Sequence, residues 1–165
     1  MTASREGSRD TGDGIVISLT PDVCKTPIGS SVVPVPYSVF AKQDDDANTA
    51  ATVRMTGQRS HNLGSVITRT QGDSPGTAGG VKSGTVGAAC HPKDHSKSVR
   101  IEGKPAIMHA HEWWMNNRNT VGKLYYLKSV EVREPTHAVN LYNNPPLESP
   151  TEASTGDAPA KDDAG

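Results

Sequence analysis

The sequence predicts an all-β fold: a small domain of hairpins joined by glycine- and proline-rich loops. Three observations predict it. Apolar residues make up 33% of the chain and aromatics 4%, too few bulky side chains to offset the ordering entropy of a large helical or α/β core. Sixteen glycines and twelve prolines punctuate the 165 residues, which favours turns and extended segments over helices. The stretch Ser98 to Met108 then reads as a hairpin: an apolar run, a Glu102-Gly103 turn and a second apolar run.

Taken in order, residues 1–13 are Ser, Gly, Asp and Arg without apolar period and read as a flexible leader. Gly14 to Leu19 is a short apolar strand. Pro21 and Pro27 forbid a helix in the segment that follows. Ser31 to Tyr37, with Pro34 and Pro36 at alternating positions, must be extended and belongs to an edge or a wall. Asp44-Asp45-Asp46 lacks the glycine and terminal glutamate of a calcium loop and reads as a solvated turn. Thr52 to Gln58 repeats the frame of Ser98 to Lys104: small hydroxyl, Val, Arg, apolar residue, turn residue, Gly, polar residue. Two copies at this spacing suggest stacked hairpins.

Gln71 to Gly87 is glycine-rich, with spacing wrong for a phosphate loop, and reads as loop and strand in a tight β structure. Lys123 to Val132 is one or two strands or a short helix. The β domain therefore spans 14–142. From residue 143 the composition turns to Pro, Glu, Ser, Thr, Asp and Ala, which reads as a disordered or docking tail over 143–165.

The net charge is −1 with both signs interspersed, which does not support electrostatic binding to nucleic acid. The N-terminus shows no apolar h-region, and no apolar run is long enough to cross a bilayer. The expectation is a chain made and kept in the cytoplasm, or one that leaves by a route reading no signal peptide. Cys24 and Cys90 are then free thiols or metal ligands rather than a disulfide.

The densest polar cluster is Cys90-His91-Pro92-Lys93-Asp94-His95. Cys90, His91 and His95 suit zinc, and Cys24 would complete four ligands from a distant loop. The alternative is a polar loop with two surface histidines. His109 and His111, alternating on an expected strand, share a face and with Glu112 form a second metal-like group, but HAHE is not the zinc-protease HExxH pattern. Trp113 and Trp114 are adjacent and face opposite sides of a strand, one to the core and one to a contact surface for a partner. His61 and His137 stand alone in sequence. No serine sits in a nucleophile elbow and no paired carboxylates occupy an apolar setting, so no catalytic residue is assigned.

Four stretches resemble the PAAR-like proteins that tip the spikes of type VI secretion systems and contractile phage tails. They are Pro21 to Tyr37, Gly72 to Gly87, His95 to His109 and Met115 to Leu124. The resemblance implies a cone of β-hairpins with approximate threefold character. The cone would sit on a trimeric VgrG-like spike, with zinc pinning the tip in many members. It implies a structural, non-enzymatic part that touches the target membrane transiently and carries an effector or adaptor as cargo. Met115 stands where relatives often carry a ligand, and His109 and His111 replace Arg and Asp. The competing readings are a small zinc hydrolase using His109, His111 and Glu112, and a cargo adaptor.

Overall fold

The computed structural model describes residues 6–127. The predicted tail at 143–165, the end of the 14–142 span and His137 lie outside the described residues. Among the described residues thirteen short strands follow one another: β1 (Gly14–Ser18), β2 (Asp22–Ile28), β3 (Ser31–Tyr37), β4 (Phe40–Lys42), β5 (Asp46–Ala47), β6 (Arg54–Met55), β7 (Gln58–Arg59), β8 (Val66–Ile67), β9 (His91–Pro92), β10 (Arg100–Ile101), β11 (Lys104–Pro105), β12 (Glu112–Met115) and β13 (Thr120–Tyr126). No helix occurs among the described residues, so the all-β expectation holds.

The main sheet has the order β4-β1-β13-β12-β9. Its strands alternate because only one face is covered. Val16, Ala41, Trp113, Met115 and Leu124 point inward and are fully buried, together with Ile67 of β8 and with Cys90 and Ile107. Trp113 faces Gly122 across the β12–β13 ladder. The opposite face leaves Ile17 44% and Phe40 36% exposed.

The internal repeat is two matching hairpins, β6–β7 and β10–β11. Each turns on a pair of left-handed residues, Thr56-Gly57 (φ 48° and 83°) and Glu102-Gly103 (φ 51° and 78°), the type I′ geometry that matches strand twist. In each copy the arginine closes the turn on the glycine carbonyl: Arg54 Nη1 donates to Gly57 O at 3.2 Å and Arg100 Nη1 to Gly103 O at 3.0 Å. Ser60 N donates to Val53 O, and its counterpart Ala106 N donates to Val99 O. The copies are tied together by Glu102, whose carboxylate accepts from Thr52 N (2.7 Å) and Thr52 Oγ1 (2.8 Å). Between them Ala50, Ile101 and Ala106 form a second small core.

Residues 6–13 are part of this domain rather than a leader. Ser8 is fully buried. Its N–H donates to Ile107 O and its carbonyl accepts from His61 N, so the segment enters between equivalent positions of the two copies.

The β2–β3 hairpin stands apart from the main sheet. Its register pairs Lys25 with Pro34 and Val23 with Pro36. The outer edge of β2 is sealed by the glycine-rich loop: Val81 N donates to Val23 O, Lys25 N to Gly79 O, and Ala78 N to Lys25 O. Counting outward from the two-residue turn, Pro34 and Pro36 fall where β3 would otherwise present N–H groups to solvent. The prolines remove those donors, which protects a free edge.

Candidate functional site

Three of the sequence stretches that stand out meet at one buried polar node. β2 supplies Asp22 and Cys24, the glycine-rich loop supplies Asp73, and the turn after β12 supplies Asn116 and Asn119. All five are buried. The local sequence explains their placement. Alternation on β2 turns Asp22, Cys24 and Thr26 to one face. The turn Asn116-Asn117-Arg118 takes three successive left-handed residues (φ 46°, 51° and 71°), a conformation asparagine tolerates better than most residues. It aims both flanking asparagine side chains inward.

Asn116 is the hub. Its Nδ2 donates to Asp22 Oδ2 (3.0 Å) and Thr85 O (2.9 Å), and its Oδ1 accepts from Ala88 N (3.1 Å) and Thr85 Oγ1 (3.0 Å). Asn119 Nδ2 donates to Asp22 Oδ1 and to Val23 O, while its Oδ1 accepts from Lys82 N (2.8 Å) and Ser83 N (3.1 Å). Asp73 Oδ2 accepts from Gly87 N at 2.7 Å. Gly76 leaves no room for a side chain, since a Cβ there would collide with Cys24. Burial is the main reason the Asp22 carboxyl lies above its ordinary range, partly opposed by the two asparagine amides. Burial, with Asp22 and Asp73 nearby, pushes the Cys24 thiol up to about 11.

Asp22, Cys24 and Asp73 have donor atoms within 4.8 Å of one another, and no other such group of His, Cys, Asp and Glu occurs among the described residues. The predicted ligands are therefore not brought together. Cys24 joins this node. Cys90 is fully buried, its thiol 3.3 Å from Thr70 Oγ1 and pushed by burial up to about 11. His91 sits on β9 opposite Trp114, and burial lowers its pKa. His95 is exposed on the following loop. Two carboxylates and one thiol are ligand types zinc accepts, and of the residues expected to bind it only Cys24 belongs to this node.

The second predicted group also dissolves. His109 and Ala110 form a turn, Ala110 at φ 65°, which breaks the alternation expected there. His109 stacks against Tyr126, ring centroids 6.1 Å apart, and His111 Nδ1 accepts from Met108 N at 3.1 Å. The tryptophans divide as the alternation predicts. Trp113 is entirely core and offers a partner nothing. Trp114 is half-buried on the opposite face, with Lys93 Nζ 5.1 Å from its ring centre and held by Glu112 Oε2 at 2.6 Å.

One constellation is invisible in the sequence. His61 Nε2 lies 2.6 Å from Asp46 Oδ2, and His61 Nδ1 lies 2.7 Å from Ser8 Oγ. Gln43 Nε2 donates to Ser8 Oγ, and Gln43 Oε1 accepts from Tyr126 OH at 2.7 Å. The residue types are those of a hydrolase triad, but Ser8 and His61 have no exposed surface. No substrate reaches the hydroxyl, and the relay acts as an internal tie for the N-terminal segment.

Fold and site together define a class: a compact β-hairpin module stitched by buried polar nodes, with both thiols buried and protonated at neutral pH. The chain belongs to the toxin PAAR-like domain family, whose pattern matches residues 15–122. It is also similar to Cysteine protease effector 1 of Escherichia coli O1:K1:H7, with 36% identity over 124 residues. That alignment takes in 72% of this chain and 25% of the relative, so the chain spans about a quarter of the relative's length. No solved structure matches the chain.

Proposed function

We propose that this domain is a structural tip that caps the trimeric, VgrG-like spike of a contractile injection apparatus and is delivered outward with it. The observation that carries the reading is the family match over 15–122. The fold suits it. Hairpins closed by type I′ turns and a proline-guarded edge make a module tied at many points, which resists being pulled open under load. The reading is of a non-enzymatic part. Both thiols are pushed up to about 11 and are poor nucleophiles near neutral pH. Zinc, where bound, would be held by Asp22, Cys24 and Asp73 and would supply a structural cross-link between β2 and the glycine-rich loop. The half-buried Trp114 is the side chain we assign to the spike contact.

A second reading concerns cargo. The relative that shares this region is named a cysteine protease effector and is about four times longer than the shared part. The domain would then be the carrier to which an effector is joined or docked. Co-expression with a cognate spike trimer, followed by affinity capture, tests the capping reading. Wild-type chain should be retained and Trp114→Glu should be lost while remaining folded. Failure of the wild-type chain to be captured would count against capping.

A further inference from the structure

A cavity of about 350 Å³ lies beside the β2–β3 hairpin, lined by Thr20, Pro21, Val23, Val81, Lys82 and Asn119. Pro21, Val23 and Val81 form its apolar walls, and Val81 is 55% exposed. Its floor is fixed, because Asn119 is locked on one side to Asp22 and on the other to the N–H groups of Lys82 and Ser83. The single charge in its lining is the cation of Lys82. Lys25 lies two residues from Val23 on β2, so alternation gives both the same face. Neither lysine is in an ion pair among the described residues. The surface continues over the hairpin's outer face, where Pro27, Val32, Pro34 and Pro36 are all exposed.

We propose that this cavity and the hairpin face above it bind an extended segment of a partner protein that carries one bulky apolar side chain flanked by acidic residues. The apolar anchor enters between Pro21, Val23 and Val81. The acidic flanks meet Lys25 and Lys82, the charge complement this surface offers. The segment does not add as a strand, because Pro34 and Pro36 leave β3 only the Val32 N–H as an outward donor and the glycine-rich loop already covers β2. The volume suits one or two side chains, roughly the size of a pocket that anchors a peptide. A bilayer presents a flat surface and would not fill a concave pocket.

The test uses the full chain and a fluorescein-labelled twelve-residue peptide with a single central Phe and Glu and Asp on both sides. Fluorescence anisotropy should saturate in the micromolar range. Val81→Asp should weaken binding at least tenfold. Lys82→Glu should weaken it about tenfold and should gain affinity for a peptide whose flanks are lysine. Both residues are exposed, so the variants keep the fold, which circular dichroism checks. The proposal is overturned if the acidic peptide shows no saturable binding up to millimolar concentration. It is also overturned if Val81→Asp binds as the wild type does. Loss of binding to phosphatidylglycerol-containing vesicles in the same variants, without any peptide binding, would replace it with a lipid-surface reading.

Discussion

Replacing Asn116 by alanine should destabilise the domain more than any other single change in the turn after β12. The side chain is fully buried. Its removal leaves Asp22 Oδ2 and Ala88 N without their partner, while Thr85 O keeps its bond from Gly80 N. A buried polar group left without a partner costs about 1–3 kcal/mol, so two such groups give roughly 2 kcal/mol at the low end. Alanine at φ 46° adds about 1 kcal/mol of left-handed strain. The expected loss is about 3 kcal/mol, against a total stability of roughly 5–15 kcal/mol for a domain of this kind. Urea unfolding followed by tryptophan fluorescence measures it. Asn116→Gly removes the strain but not the lost bonds and should recover about 1 kcal/mol at most. Asn117→Gly, one residue on and exposed, should stay within about 0.5 kcal/mol of wild type. A loss below about 1 kcal/mol for Asn116→Ala would refute the view that this amide organises the node.

Three further outcomes are expected. Cys24 and Cys90 are raised from 9.0 to about 11, so the folded state favours their protons: that stability is fully present below pH 9 and is lost as pH rises through 11. Chemical denaturation across this range should show wild type losing stability faster than a Cys24→Ala, Cys90→Ala double variant, and parallel curves would contradict it. Tyr126, pushed by burial up to about 12, extends the loss to higher pH in both proteins. Ser8→Ala leaves His61 Nδ1 and Gln43 Nε2 without their hydroxyl and should cost about 1–3 kcal/mol, seen as a lowered Tm by calorimetry; an unchanged Tm would remove the N-terminal segment from the domain's stability. Zinc purified with the chain should fall in Cys24→Ser and Asp73→Asn and stay constant in His95→Ala, read by elemental mass spectrometry; dependence on His95 would restore the ligand set expected from sequence.

The parts of the fold that were legible are those fixed by local chemistry. The two hairpins follow from a turn residue before glycine between short apolar runs. The division of Trp113 and Trp114 follows from strand alternation, and the edge character of β3 from its two prolines. The node was not legible because its members are far apart, with Asp22 and Asn119 separated by 97 positions. Isolated aspartates and asparagines also read as solvated loop residues. Asn116 and Asn119 lie in the Met115 to Leu124 stretch that resembles the family, but nothing local says that their side chains point inward. Cys90, His91 and His95 are close in sequence, yet Cys90, bridged to Ile67 just before β9, is buried while His95 stays in the exposed loop. Alternation failed at His109 and His111 because Ala110 is left-handed. Ser8 was hidden in a polar stretch because it is held by backbone bonds to both repeat copies, a contact with no signature in composition.

The most direct test of the account is native mass spectrometry of this chain co-expressed with the trimeric spike protein of the same apparatus. The account predicts a complex of one chain on three spike subunits that Trp114→Glu abolishes. A spike trimer that stays bare while the chain remains folded and monomeric in the same sample would contradict it.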